Sequence, residues 1–83
     1  MTPVQRRVAV ASRRQIQVYR AAVGDREVAG AFHDVASFLK ATGARRQHAE
    51  TTTDINYRLV TMSAPGCVFW RRQGSPAWEQ MST

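Results

Sequence analysis

Cysteine is nearly absent from this chain of 83 residues, since Cys67 is the only one, so no disulfide can form within it. Secreted domains of this size usually depend on disulfides, so the single thiol favours a reducing compartment, and we expect a cytoplasmic protein. Long apolar runs are also missing, because none approaches the roughly 20 residues that span a bilayer. No apolar core of a secretory signal follows the N-terminal charges. We therefore expect no membrane partner.

Residue types that bind metals or carry catalysis are scarce. The two histidines, His33 and His48, and the lone Cys67 show no spacing of a known metal-binding motif. We predict no metal, no cofactor and no complete catalytic constellation. His48 is the best candidate for a general acid or base, because it follows Arg45 and Arg46 in a polar segment, as a small ribonuclease arranges a base and cations around a phosphate.

Acidic residues are few, with six against twelve basic ones, and the formal net charge is +6. The excess lies in residues 1–20, which carry five arginines and no acid, whereas the remaining chain has seven basic and six acidic residues. This distribution predicts a basic, flexible N-terminal arm over residues 1–13. A mitochondrial presequence is an alternative, since such leaders are also rich in arginine, but its removal would cut into the first strand.

The length of the chain allows one hydrophobic core and no second. We expect a single domain over residues 14–74 and a short C-terminal tail over 75–83. The hydrophobic share of 43% is typical of a globular protein.

Apolar residues alternate with polar ones at the start of this domain and predict a first strand over residues 14–22. A turn at Gly24 and Asp25 follows. Residues 27–31 can return as a second strand, which Gly30 weakens.

The clearest helix is predicted over residues 32–43. Four apolar residues at helical spacing share one face, namely Phe32, Val35, Ala36 and Leu39. Phe38 widens that face. Gly43 can adopt the left-handed conformation that ends a helix.

A hairpin is predicted in the second half of the chain, after a polar connection over residues 44–50. Every second residue is apolar in part of the next segment, namely Ile55, Tyr57 and Leu59. This alternation predicts one long strand over residues 51–62 with one buried side. Pro65 and Gly66 favour a type II turn, after which residues 67–72 return as the last strand.

These elements together predict an α+β fold. Its small antiparallel sheet has the order ββαββ, or βαββ if the second strand does not form, and the helix packs on one face of the sheet.

Arginine doublets and aromatic side chains are the candidate contacts to nucleic acid. The set is Arg6, Arg7, Arg13, Arg14, Arg45, Arg46, Trp70, Arg71 and Arg72. Arginine binds phosphate bidentately, and aromatic side chains on a sheet stack on the bases of single strands. Tyr19 is a second candidate for stacking. Because Phe69 and Trp70 point to opposite faces of the last strand, at least one of them has to supply core.

We predict a small non-enzymatic protein that binds nucleic acid, or a complex that processes it, through the arm and the Arg71 end of the hairpin. One alternative is an inhibitor or adaptor of the phage or plasmid type, which binds a host complex through a strand edge and an aromatic such as Trp78. Another is a small ribonuclease-like toxin that uses His48. A homodimer is a further possible partner, since one helix leaves the other sheet face and the edges free.

Overall fold

The computed structural model describes residues 16–55, 59–60 and 65–81 of the chain. In chain order its elements are β1 (Gln17–Val23), β2 (Arg26–Phe32), α1 (Val35–Thr42), a 3-10 helix (Arg46–His48), β3 (Ala49–Thr51), β4 (Val68–Arg72) and β5 (Glu79–Gln80). The strands form one sheet in the order β3-β1-β2-β4-β5, and every neighbouring pair is antiparallel. The predicted α+β fold is confirmed. The predicted arm over residues 1–13 lies outside the described residues.

A two-residue turn joins β1 to β2. Val23 pairs with Arg26, so Gly24 and Asp25 alone form the loop. Gly24 has a φ of 64°, while no residue other than glycine has a positive φ in the described part of the chain. A positive φ at the first loop residue only is the pattern of a type II′ turn, whose twist suits a hairpin. The predicted turn is confirmed, and the second strand forms despite Gly30.

Capping interactions fix both ends of α1. The carboxylate of Asp34 accepts a hydrogen bond from the Ser37 backbone N–H at 2.8 Å, which satisfies one of the free donors of the first turn. At the other end Gly43 has a φ of 75°, and its N–H donates to the Leu39 carbonyl at 2.8 Å. The left-handed end predicted at Gly43 is confirmed.

The predicted helix start at Phe32 is wrong, because Phe32 is the last residue of β2 and pairs with Gln17. Its ring nevertheless packs against the helix, with a centroid distance of 5.8 Å to Phe38. Within the predicted helical stripe Val35 and Leu39 are half-buried, whereas Ala36 is exposed.

Both faces of the sheet carry apolar side chains. On the helix face, part of which α1 covers, the buried residues are Tyr19, Ala21, Val28, Phe32 and Phe38. On the other face, called the open face below, they are Val18, Ala29, Ala31, Leu59 and Phe69, with Ile55 and Trp78 packed against them. Residues of the same chain therefore cover the open face, whose apolar surface was one reason to expect a homodimer.

The long strand predicted over residues 51–62 is wrong. Residues 53–55 form a bend and a turn, and Leu59 and Val60 are helical. The Leu59 N–H donates to the Ile55 carbonyl at 3.0 Å, as one turn of α-helix requires. Residues four apart lie on one side of a helical turn, so the same apolar spacing fits either structure.

The predicted hairpin between that strand and the last strand is also wrong. β4 pairs with β2 and β5 instead. Gly66 has the predicted positive φ, at 97°, but its N–H donates to the Ala31 carbonyl of β2 at 2.8 Å. The predicted connection over residues 44–50 contains the 3-10 helix and the start of β3.

Replacement of Gly30 by alanine tests how closely the backbone of β2 approaches Cys67 and the Phe32 ring. A Cβ at this position would lie 2.6 Å from the Cys67 carbonyl oxygen and 2.7 Å from a carbon of the Phe32 ring. We expect Gly30→Ala to lower the free energy of unfolding by about 1–3 kcal/mol through overpacking, measured by urea denaturation. Ala22→Val, a gain of volume at an exposed position of β1, is the control. An unchanged midpoint for Gly30→Ala would contradict the packing described.

Candidate nucleic-acid interface

The alternation of side chains along β2 and β4 divides the arginines between the two sheet faces. Glu27 of β2 lies opposite Arg71 of β4, and both share the open face with the buried Phe69. One residue along, Arg26 lies opposite Arg72 on the helix face. The two arginines of the predicted doublet at 71 and 72 therefore have different surroundings.

On the open face, Glu27 joins three strands through two arginines, an arrangement called the Glu27 clamp below. Arg20 of β1 donates to Glu27 Oε1 from Nη2 at 2.7 Å and from Nε at 3.2 Å. Arg71 of β4 donates from Nε to Glu27 Oε2. The three side chains are 19–23% exposed, so the clamp is partly shielded from water.

The clamp also holds the C-terminal segment. Arg71 Nη1 donates to the Ser75 carbonyl at 3.3 Å, and its guanidinium carbon lies 4.7 Å from the centroid of the Trp78 ring. Arg20 lies 6.0 Å from the same ring and forms an ion pair with Asp54 at 3.3 Å. Trp78 is half-buried and lies beside the guanidinium groups of Arg20 and Arg71. Arg71 therefore contacts Glu27, Ser75 and Trp78 of its own chain.

Two opposing effects act on the pKa of Glu27. Burial of the carboxylate raises the pKa, whereas the hydrogen bonds and positive charges of Arg20 and Arg71 lower it, and their sum leaves the pKa below its ordinary value. The clamp is therefore a pair of strong interactions with an ionised carboxylate.

The helix face carries a different set of charges, called the cationic surface below and formed by Arg26, Trp70 and Arg72. The guanidinium carbon of Arg26 lies 4.5 Å from the centroid of the half-buried Trp70 ring. Arg26 and Arg72 are exposed and directly opposite each other. Glu79 of β5 lies opposite Trp70, yet among the described residues no ion pair joins any acid to Arg26 or Arg72.

Arg26 was missed by sequence reasoning. It stands alone beside a turn, and nothing in the local sequence distinguishes it from a solvated charge. Only the pairing of β2 with β4, which are far apart in the chain, places it opposite Arg72.

The predicted residues Arg45, Arg46 and His48 are exposed and lie after α1. Arg45 and His48 line a shallow cavity of about 200 Å³ together with Val23 at the end of β1 and Gly24 of the β1–β2 turn. Because Val23 pairs with Arg26, this cavity lies at the same end of the sheet as the cationic surface. Arg46 does not line it.

The other candidates do not join these groups. Arg6, Arg7, Arg13 and Arg14 lie outside the described residues. Tyr19 is 8% exposed, and its ring packs against that of Phe38 in a tilted arrangement at a centroid distance of 5.6 Å, so it belongs to the core. His33 is exposed and Cys67 is half-buried.

Comparisons with protein families, curated proteins and solved structures found no match to this chain. Across residues 16–55, 59–60 and 65–81, no group of three or more His, Cys, Asp or Glu side chains is arranged to hold a metal ion. No helix in the same ranges is long and apolar enough to cross a membrane.

Replacement of Glu27 by glutamine tests the clamp. Loss of the shared charge leaves Arg71 without an acidic partner among the described residues and Arg20 with only the exposed Asp54, so we expect Glu27→Gln to lower the free energy of unfolding at pH 7 by about 1–3 kcal/mol. The measurement is urea denaturation followed by circular dichroism. Asp25→Asn, at an exposed turn residue, is the control, and an equal loss in both variants would contradict a specific role for the clamp.

The pH dependence of stability provides a separate prediction. Because folding lowers the pKa of Glu27, its contribution is present above the ordinary glutamate pKa of about 4.3 and is lost as the pH falls through the lower pKa of the folded state. The hydrogen bond from the Ser37 backbone N–H also lowers the pKa of Asp34, which acts in the same direction. We therefore expect the urea midpoint to decrease as the pH is lowered beneath about 4.3. The decrease should be less steep in Glu27→Gln than in the wild type. Equal slopes would contradict the pKa assignment.

Proposed function

We propose that this protein binds nucleic acid non-enzymatically, with the cationic surface contacting phosphates and the Trp70 edge contacting a base. The observation that carries the proposal is that Arg26 and Arg72 lie opposite each other without an acidic partner in the described part of the chain.

Like charges directly opposite on a sheet destabilise it by an amount of about 0.2–1 kcal/mol. On the open face of the same two strands the corresponding pair is Glu27 with Arg71, in which the charges are opposite. An anion between Arg26 and Arg72 would relieve their repulsion and accept hydrogen bonds from both. A phosphate is suited to this position because arginine binds it in bidentate geometry.

The stacking of Arg26 on Trp70 orients the guanidinium before a ligand arrives. Such a contact is worth about 0.5–1 kcal/mol at an exposed site, and it reduces the freedom that the arginine loses on binding. Unpaired bases, which are accessible in single strands, stack on guanidinium planes as well as on aromatic rings, so a base on Arg26 would also reach the edge of the half-buried Trp70 ring. We therefore favour single-stranded nucleic acid over a duplex.

The N-terminal sequence supports the same function. Arg6, Arg7, Arg13 and Arg14 add four positive charges to one end of the chain without any acid between them. Short cationic segments follow the phosphate backbone and increase affinity at low salt.

Neighbouring arginines on opposite faces of β4 provide a matched test. We expect Arg72→Gln to weaken binding of labelled single-stranded oligonucleotides and to reduce the slope of log K against log salt by about 0.7, the loss of one phosphate contact. Arg71→Gln should lower the urea midpoint and change the slope less. Fluorescence anisotropy at several salt concentrations measures both. Equal slopes for the wild type and Arg72→Gln would contradict the proposal.

Glu79 allows a test by gain of affinity. Its carboxylate belongs to the residue opposite Trp70, so it repels phosphates from the cationic surface. We expect Glu79→Gln to bind the same oligonucleotides more tightly, whereas Glu50→Gln, on the exposed outer strand β3, should bind like the wild type. Weaker binding by Glu79→Gln would show that nucleic acid does not contact this surface.

Two further variants separate the alternatives. Glutamine at Arg6, Arg7, Arg13 and Arg14 in the full chain should reduce affinity and the salt slope together. The oligonucleotides should remain intact during the titration, and RNA cleavage that disappears in His48→Ala would favour the ribonuclease interpretation instead. Absence of binding to every probe would overturn the proposal and turn attention to a protein partner.

A further inference from the structure

A second group of basic side chains lies at the same end of the sheet and lines a concave surface. Arg45 and His48 line the cavity together with Gly24 of the β1–β2 turn. The lining contains no acidic residue. This arrangement differs from the cationic surface, where the side chains stand on the sheet itself.

The dimensions of the cavity restrict its ligand. Its volume of about 200 Å³ lies below the roughly 300–1,000 Å³ of pockets that hold drug-sized molecules. A nucleoside is therefore too large to be enclosed, whereas a single phosphate group is not. Gly24 and Gly43 flank the space, and their positive φ values of 64° and 75° keep the two chain segments bent around it without Cβ atoms.

The side-chain donors at the cavity also favour a phosphate. Two backbone donors are occupied, because the Gly43 N–H donates to the Leu39 carbonyl and the Ala44 N–H donates to the Thr42 hydroxyl at 3.2 Å. The side chains of Arg45 and His48 are exposed, and no ion pair holds either of them within the described ranges. Arginine presents a planar pair of donors that matches two phosphate oxygens.

We infer that this cavity binds the terminal phosphate of a nucleic-acid strand. A phosphomonoester carries a charge of about −1.5 to −2 near neutral pH, more than the single charge of an internal diester, so it gains more from Arg45. A terminal group also has only one chain attached, which suits a small cavity lined by residues 22–24 and 43–45. This inference rests on the proposed function, because it assigns the end of the same ligand.

The test uses full-length protein and three labelled oligonucleotides of one sequence, with a 5′-phosphate, a 3′-phosphate or hydroxyls at both ends. We expect one phosphorylated form to bind about five- to tenfold more tightly than the hydroxyl form, as one added charge-assisted contact allows. This ratio should fall towards one in Arg45→Gln and decrease in His48→Gln. Arg46→Gln, which removes an exposed neighbour outside the cavity, should retain it.

A second measurement keeps the inference independent of oligonucleotide binding. Inorganic phosphate is titrated into ¹⁵N-labelled protein at constant ionic strength, with chloride as the reference anion. We expect saturable shifts of the Gly24, Gly43 and Ala44 amides in the wild type and loss of them in Arg45→Gln.

The outcomes separate the inference from the proposed function. Binding that depends on Arg72 but is equal for all three ends overturns the terminal-phosphate inference alone. Absence of all oligonucleotide binding overturns the proposed function, and phosphate shifts that are missing or persist in Arg45→Gln overturn the cavity as a phosphate site. Thermal melts of each variant confirm that it is folded.

Discussion

The half-buried carboxylate of Glu27 organises the open face of this protein. It accepts hydrogen bonds from Arg20 of the preceding strand and from Arg71, which is 44 residues away in the chain. One side chain therefore connects β1, β2 and β4, and Arg71 carries the connection on to Ser75 and Trp78. The Glu27 clamp stabilises a sheet whose pairing of β2 with β4 is not specified by any short turn, and it places two positive charges beside a negative one.

The pairing of β2 with β4 determines on which face of the sheet each charged side chain lies. Residues 21–83 are nearly neutral in sum, which by itself argues against a surface that binds polyanions. The structure shows that the charges do not cancel locally. Glu27 and Asp54 pair with the arginines of the open face, whereas Arg26 and Arg72 face the same side as α1 without an acidic partner in the described ranges. A neutral total thus coexists with a concentrated positive surface, because neighbouring residues of a strand point in opposite directions.

Local signals in the sequence predicted the parts of the fold that local interactions determine. Gly24 and Gly43 marked a turn and a helix end because a positive φ is easily adopted only by glycine. The strand predicted over residues 51–62 failed because Ile55 and Leu59 satisfy both a strand and a helical turn, and the Leu59 N–H bond to Ile55 decides for the latter. For the candidate interface, Trp70 and Arg72 were identified from the sequence, whereas Arg26 was not. Its position depends on a pairing between distant strands, and no local pattern encodes that pairing.

The two outer strands have a consequence for the behaviour of the protein at high concentration. β3 has three residues and β5 has two, and each includes an exposed glutamate, Glu50 or Glu79. A short edge presents few unpaired backbone groups to another molecule, and a charged side chain there repels an identical edge. The sheet is therefore poorly suited to growth by addition of further copies in an amyloid-like manner. Its short, charged edges protect it from aggregation, while the cationic surface, away from those edges' backbone groups, remains exposed to solvent.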